Sequence, residues 1–110
     1  MNFLNKRILV TGGTRGIGRG IVEAFLRAEA CVAVNGSTAE STAKAINDLG
    51  GGDRLIGAPG SVATVAGCRA IVEAAAAGLG GLDVLVNNAG VVTFPQTLSS
   101  GRWLSQRRPA

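Results

Sequence analysis

The fold is decided by residues 8–18, Ile-Leu-Val-Thr-Gly-Gly-Thr-Arg-Gly-Ile-Gly, in which an apolar run passes through a glycine-rich loop. The loop opens a helical pattern in which apolar residues recur three or four apart, at Ile17, Ile21, Phe25 and Ala28. Glycines at positions 12, 16 and 18 permit a sharp turn from strand to helix and a close approach of the backbone to a ligand. The first N–H groups of the helix favour an anion. We therefore predict a strand, a phosphate-binding loop and a helix.

A second motif lies at residues 82–90, Leu-Asp-Val-Leu-Val-Asn-Asn-Ala-Gly, where another apolar run ends in amide and small residues. Residues 11–18 and 87–90 together resemble the Thr-Gly-x-x-x-Gly-x-Gly and Asn-Asn-Ala-Gly signatures of the short-chain dehydrogenase/reductase family. The resemblance covers residues 6–98, and residues 1–21 are most similar to the 3-oxoacyl-[acyl-carrier-protein] reductase branch. It implies an oxidoreductase that transfers hydride between a nicotinamide cofactor and a carbonyl or alcohol.

Short apolar runs alternate with helical stretches along the chain, which is typical of repeated βαβ units. We predict strands at 7–11, 31–35, 54–58 and 82–87, and helices at 16–29, 38–49 and 62–78. Ser37, Thr38 and Ser61 are the predicted N-caps, and Gly50 and Gly78 the predicted helix stops. The fold class is α/β, a truncated doubly wound (Rossmann) parallel sheet of about four strands in the order 3-2-1-4. Residues 1–90 would form an NAD(P)-binding half-domain.

In such a sheet the ligand lies at the carboxyl ends of the strands, between the first and the fourth. The two motifs would therefore line one cleft from opposite sides. An ordinary turn and a strand-terminating loop are the alternatives for each motif taken alone. The predicted cofactor-binding residues are Gly12, Thr14, Arg15, Gly16, Ile17, Gly18, Asn35, Ser37, Thr38, Ser61, Val62, Asn88, Ala89 and Gly90.

The choice of cofactor is indicated by the end of the second strand, residues 34–38, Val-Asn-Gly-Ser-Thr. This run lacks the carboxylate that would accept the ribose 2′-hydroxyl of NAD. Arg15, in the glycine loop, and Ser37 or Thr38 could instead reach a 2′-phosphate, so we expect NADP rather than NAD. A solvated loop cation is the alternative for Arg15. Ser61 stands where the family usually places an adenine-binding Asp, which leaves the backbone of Val62 to serve adenine.

Catalytic residues are not predicted in this chain, which contains no Tyr and no His. The family uses a Tyr acid/base, a Lys four residues later and a Ser, and Lys6 and Lys44 are the only lysines here. We expect residues 91–110 to be an aberrant or truncated tail, for which a shift of reading frame is one origin, with a natural C-terminus as the alternative. Three functions remain open: part of an oxidoreductase, a non-catalytic NADP-binding module, and a non-functional fragment of an interrupted gene.

Composition excludes several other classes. The net charge of +4 is concentrated in residues 102–108, and the rest of the chain carries eight bases against seven acids, so nucleic-acid binding is not expected. Cys31 and Cys68 have no metal-ligand spacing, so we expect no metal and a cytoplasmic location with reduced thiols. No apolar run reaches the length of a membrane span. The fourth strand would present an unpaired apolar edge, which predicts self-association.

Overall fold

The four apolar runs form one parallel sheet in the computed structural model, which describes residues 2–88. The strands alternate with helices in the order β1 (Arg7–Thr11), α1 (Gly16–Arg27), β2 (Cys31–Val34), α2 (Ala39–Asp48), β3 (Leu55–Gly57), α3 (Val65–Leu79) and β4 (Val84–Asn87). The sheet order is β3-β2-β1-β4, with Ile8 beside Val32 and Val84. The predicted fold class and strand order are confirmed.

The core lies on both faces of the sheet because side chains alternate along each strand. Ile8 and Val10 of β1 lie on one face, where Val22 of α1 is also fully buried and apolar residues of α2 pack at the margin. Leu9 lies on the other face, against Ile71 and Ala75 of α3. In the predicted apolar pattern of α1, Ile21 and Phe25 pack against this core, whereas Ile17 in the first turn is exposed.

Two predicted helix ends are wrong, and the hydrogen bonds explain why. The third helix begins at Val65 rather than at 62, because the Thr64 side chain, not that of Ser61, accepts a hydrogen bond from the Gly67 N–H at 2.9 Å. The same helix continues through Gly78, where a Cβ would overlap the Ile56 side chain, and ends at Leu79, followed by the C-cap Gly80 with a left-handed φ of 81°.

The first helix is also shorter than predicted, and the second helix is capped by only one of the two predicted residues. Helix α1 ends at Arg27, and Glu29 then turns the chain with a φ of 67°. Thr38, not Ser37, caps α2. The predicted stop at Gly50 is confirmed, with a φ of 94° directly after the C-cap Leu49.

The amino-terminal edge of the sheet is held by a bidentate ion pair between β1 and the residue preceding β4. Arg7 Nε lies 3.0 Å from Asp83 Oδ2, and Arg7 Nη2 donates to Asp83 Oδ1 at 3.1 Å. Asp83 Oδ2 also accepts from the Arg7 backbone N–H at 2.8 Å. These hydrogen bonds hold the pKa of Asp83 down at about 2. The pair fixes the register of the two strands at the edge opposite the glycine loop.

Within residues 2–88, none of the three helices combines the length and the hydropathy that crossing a bilayer requires.

Candidate functional site

The glycine loop between β1 and α1 has the backbone geometry that its sequence predicts. Gly12 and Gly16 adopt left-handed φ values of 62° and 61°, which residues with a Cβ rarely adopt. Gly18 is needed for a different reason: a Cβ there would overlap the Gly12 carbonyl oxygen and lie 2.7 Å from Asn88 Nδ2. The loop can therefore close only with glycine at these positions.

The N-terminus of α1 is open to a ligand, unlike those of the other two helices. Arg15 occupies its N-cap position but makes no side-chain hydrogen bond to the first turn, and that turn contains no acidic residue. Thr38 and Thr64 cap α2 and α3 with their side chains. The first N–H groups of α1 therefore keep their capacity to bind an anion, aided by the helix dipole.

Asn35 connects the loops that follow three neighbouring strands. Its Oδ1 accepts a hydrogen bond from the Gly12 N–H at 3.2 Å, and its Nδ2 donates to the carbonyl oxygens of Ala58 at 2.8 Å, Gly60 at 3.2 Å and Gly36 at 3.2 Å. Asn35 is only 2% exposed. Its side chain is thus committed to shaping the glycine loop, and any effect of Asn35 on a ligand would be exerted through that loop.

The loop after β4 meets the glycine loop from the other side. The Thr11 hydroxyl accepts a hydrogen bond from the Asn88 N–H at 2.9 Å and lies 3.2 Å from Asn87 Oδ1. Asn88 Nδ2 donates to the Gly12 carbonyl oxygen at 3.3 Å. The two motifs that the sequence analysis singled out are therefore in direct contact at the carboxyl edge of the sheet.

A hollow of about 430 Å³ lies beside the glycine loop, between α1 and α2. Arg15 and Ser37, two of the three residues predicted to reach a 2′-phosphate, line it, as does Thr14, whereas Thr38 does not. A Cβ on Gly36 would lie 2.6 Å from both Thr14 Cγ2 and Thr42 Oγ1. Glycine at position 36 therefore lets the end of β2 approach the glycine loop closely enough to form the hollow.

The far wall of the hollow carries a cluster of charges. Lys44 Nζ lies 2.8 Å from Asp48 Oδ2, and Arg19 Nη2 reaches the same oxygen at 3.7 Å from the neighbouring helix. The hydrogen bond from Lys44, followed by the positive charges of Lys44 and Arg19, lowers the pKa of Asp48 below its ordinary value, although partial burial opposes this. The carboxylate is therefore ionised at neutral pH and is shared by two cations.

The other predicted residues take different positions. Thr38 accepts the Ser41 N–H at 3.0 Å as the cap of α2, and Ser61 Oγ accepts the Ala63 N–H at 3.1 Å in the loop after β3. Val62 is half-buried against the core on the α3 face. Ile17 is 78% exposed in the first turn of α1. Ala89, Gly90 and the predicted tail at 91–110 lie outside the described residues.

Sequence reasoning missed four residues that shape this edge: Gly13, Gly36, Arg19 and Lys44. A partial signal for one cation was present, because Lys44 and Asp48 are four residues apart on the predicted second helix, a spacing that places them on one helical face. The two glycines gave no such signal. Their importance depends on how distant segments pack: a Cβ on Gly13, for example, would lie 3.0 Å from Val22 Cγ2 and 3.2 Å from Val34 Cγ1.

No metal-binding cluster was found in the part of the chain that the structure describes, where His, Cys, Asp and Glu do not gather in groups of three or more.

The chain is similar in sequence to known proteins of a single family. The family model for short chain dehydrogenases matches residues 6–105. The 3-oxoacyl-[acyl-carrier-protein] reductase FabG of Escherichia coli (strain K12) is 41% identical over 91 residues, which make up 83% of this chain and 36% of the reductase. A cis-2,3-dihydrobiphenyl-2,3-diol dehydrogenase of Metapseudomonas furukawaii is 35% identical over 98 residues, or 89% of this chain and 34% of that protein. The chain thus spans about a third of the length of these relatives.

Solved structures agree with the sequence matches. The 3-ketoacyl-(acyl-carrier-protein) reductase of Brucella melitensis, complexed with NADH, has a TM-score of 0.73 and 29% identity, with 82% of this chain and 36% of that chain covered. The apo form of a glucose dehydrogenase of Caenorhabditis elegans has a TM-score of 0.70 and 33% identity, with 83% and 40% covered.

Proposed function

The chain belongs to the short chain dehydrogenase family, and from that premise we propose that residues 1–90 are the NADP(H)-binding half-domain of an oxidoreductase. In the intact enzyme this half would hold the cofactor that exchanges hydride with a carbonyl or alcohol substrate. The observation that supports the proposal most directly is the uncapped N-terminus of α1, placed behind a glycine loop that Asn88 contacts.

The residues present fit a dinucleotide. Its pyrophosphate would lie against the backbone of residues 12–18, where the glycines leave room and the first N–H groups of α1 are not capped by a side chain. Exposed Ile17 offers an apolar surface beside the loop. Ser61 and Val62 follow β3 in the chain, and we propose that Ser61 and the backbone of Val62 contact the adenine. When bound, the nicotinamide supplies or accepts the hydride.

The preference for NADP rests on the composition of the hollow. Arg15 and Ser37 both line it, and the one carboxylate in its wall, Asp48, is already paired with Lys44 and Arg19. An unpaired carboxylate at the end of β2 would favour a ribose 2′-hydroxyl, whereas an arginine favours a phosphate. The Brucella melitensis relative was solved with NADH, so the preference of this chain must be measured directly.

Catalysis by the 110-residue chain on its own is not expected. It has no Tyr and no His to act as the proton donor that carbonyl reduction requires. We propose that it binds the cofactor without turnover.

A reducing compartment such as the cytoplasm suits the two cysteines. Cys31 is half-buried and Cys68 is exposed, and both are free thiols. Disulfides are the usual state of such cysteines in oxidising compartments.

Titration of the purified chain with NADPH and NADH tests the proposal. We expect NADPH to bind more tightly, and Arg15→Ala to reduce the ratio of the two affinities by about 5- to 30-fold through loss of a charge-assisted contact. Arg27→Ala is the matched control, because Arg27 is exposed in the last turn of the same helix, far from the glycine loop. An affinity ratio that Arg15→Ala leaves unchanged would refute the role of Arg15, and failure of both dinucleotides to bind would refute the proposed function.

A further inference from the structure

The hollow between α1 and α2 contains more positive charge than the proposed contact with Arg15 requires. Arg15, Arg19 and Lys44 all line it, against the single carboxylate of Asp48. The net charge of these four side chains is therefore +2. A phosphomonoester carries a charge of about −1.5 to −2 at neutral pH. The hollow is matched to such a group in charge, and its volume of about 430 Å³ leaves room for it.

We propose that Arg19 and Lys44 are specificity-determining residues for a phosphomonoester, and that Asp48 is the internal counter-ion that the phosphate displaces from them. The inference rests on the proposed function, in which the phosphomonoester is the 2′-phosphate of NADP.

The geometry of the ion cluster distinguishes it from an ordinary surface pair. Lys44 and Asp48 are four residues apart on α2, which by itself is a common way to stabilise a helix surface. Arg19, however, reaches the same Asp48 oxygen from α1, so the cluster spans the two helices that form the hollow. Arg19 and Asp48 are each about one third exposed, with side-chain values of 29% and 35%, so solvent only partly screens them.

Lys44 has the freedom that exchange of partners requires. Its side chain is 76% exposed, and its ammonium group has three donors on a flexible stem. The ammonium can therefore leave the carboxylate for a phosphate oxygen at little cost. Arg19, whose contact with Asp48 is the longer at 3.7 Å, has guanidinium donors to spare for the same phosphate.

The test compares Arg19→Gln and Lys44→Gln with two matched controls on the folded chain, with folding checked by circular dichroism. Arg27→Gln removes a cation from the same helix as Arg19, and Lys6→Gln removes the only other lysine, at the opposite edge of the sheet. The ligands are NADPH, NADH, adenosine 2′,5′-bisphosphate and inorganic phosphate.

We expect each test variant to weaken NADPH binding by about 3- to 10-fold and to change NADH binding by less than about 2-fold. Both controls should leave the ratio of the two affinities unchanged. Lys44→Arg should restore most of the preference, because it keeps the charge. Asp48→Asn should strengthen NADPH binding by about 2- to 3-fold at low ionic strength, because a competing anion is removed, and the gain should disappear in high salt.

The outcomes separate the inference from the proposed function. If NADPH is preferred but Arg19→Gln and Lys44→Gln leave that preference intact, the inference is wrong and the proposed function stands. If neither dinucleotide binds while adenosine 2′,5′-bisphosphate binds in a Lys44-dependent manner, the hollow is confirmed and the proposed function fails. If inorganic phosphate binds and the variants weaken its binding as much as they weaken that of NADPH, the site binds a free phosphate, and its assignment to the 2′-phosphate of NADP is overturned. If Asp48→Asn weakens NADPH, the counter-ion role is refuted.

Discussion

Removal of the Asn35 side chain is expected to destabilise the fold far more than the loss of one polar side chain usually does. Asn35→Ala leaves the Gly12 N–H and the carbonyl oxygen of fully buried Ala58 without their partner, and the Gly60 carbonyl oxygen also loses its donor. The Gly36 carbonyl oxygen still accepts from the Gly60 backbone N–H at 2.9 Å. Each buried group left unsatisfied costs about 1–3 kcal/mol. Water can reach the half-buried Gly12 and Gly60, so we expect a loss of about 2–5 kcal/mol in the free energy of unfolding.

Urea denaturation followed by circular dichroism measures this loss through a shift of the midpoint at constant slope. Asn47→Ala is the matched control, because Asn47 is exposed on α2, and there we expect a change within about 0.5 kcal/mol. Because Asn35 holds the glycine loop through Gly12, Asn35→Ala should also weaken NADPH binding under conditions where the variant is still folded.

Asn35→Asp distinguishes the hydrogen bonds from the volume of the side chain. The new carboxylate would have the same shape but would direct an oxygen at the carbonyl oxygens that now accept from Nδ2. Burial and these oxygens would raise its pKa above the unfolded value, so the Asn35→Asp variant should lose stability as the pH rises through that value. Asn35→Ala should not share this dependence. A loss below about 1 kcal/mol for Asn35→Ala, or identical pH profiles for the two variants, would refute the reasoning.

Three further predictions concern the other parts of the fold. Gly18→Ala should lower the free energy of unfolding by about 1–3 kcal/mol and weaken cofactor binding, because the new Cβ would overlap the Gly12 carbonyl oxygen. Gly20→Ala is the control: a Cβ there has no neighbour within 4 Å, so thermal unfolding should show a gain of about 0.5–1 kcal/mol. Asp83, whose pKa its hydrogen bonds from Arg7 lower to about 2, stabilises the fold while it is ionised, above about pH 4. This effect is lost as the pH falls towards 2, so the difference in stability between wild type and Asp83→Asn should vanish between about pH 4 and pH 2. Within residues 2–88, β4 pairs only with β1 and Leu85 is 50% exposed, so the chain should self-associate in sedimentation experiments and Leu85→Lys should reduce this; a monodisperse wild-type monomer would contradict the prediction.

Most of the fold could be predicted because its signals are local. The apolar run at 8–11 and the glycines that follow it are adjacent in sequence, and each depends on the backbone conformation of its own segment. The strand order followed from the family resemblance and is confirmed. Helix ends were less predictable, because Ser61 and Thr64 are both good caps and only the structure decides between them.

The candidate site was predictable in position but not in detail. The sequence indicated that the loops after β1 and β4 meet, yet it did not indicate that Asn35 turns inward to hold three loops together. Nor did it indicate that Lys44 and Arg19 share Asp48 across two helices. Such arrangements depend on how distant segments pack, and local periodicity carries no information about that packing.

The central claim is that the carboxyl edge of this sheet binds a dinucleotide through the glycine loop. Backbone amide NMR of the chain during titration with NADPH tests it most directly. We predict the largest, saturable shifts at Gly12, Gly16 and Gly18 and at Ser37, with no change at Gly51 and Gly80 on the opposite edge. Absence of saturable shifts in the glycine loop, or shifts centred on the opposite edge, would contradict the claim.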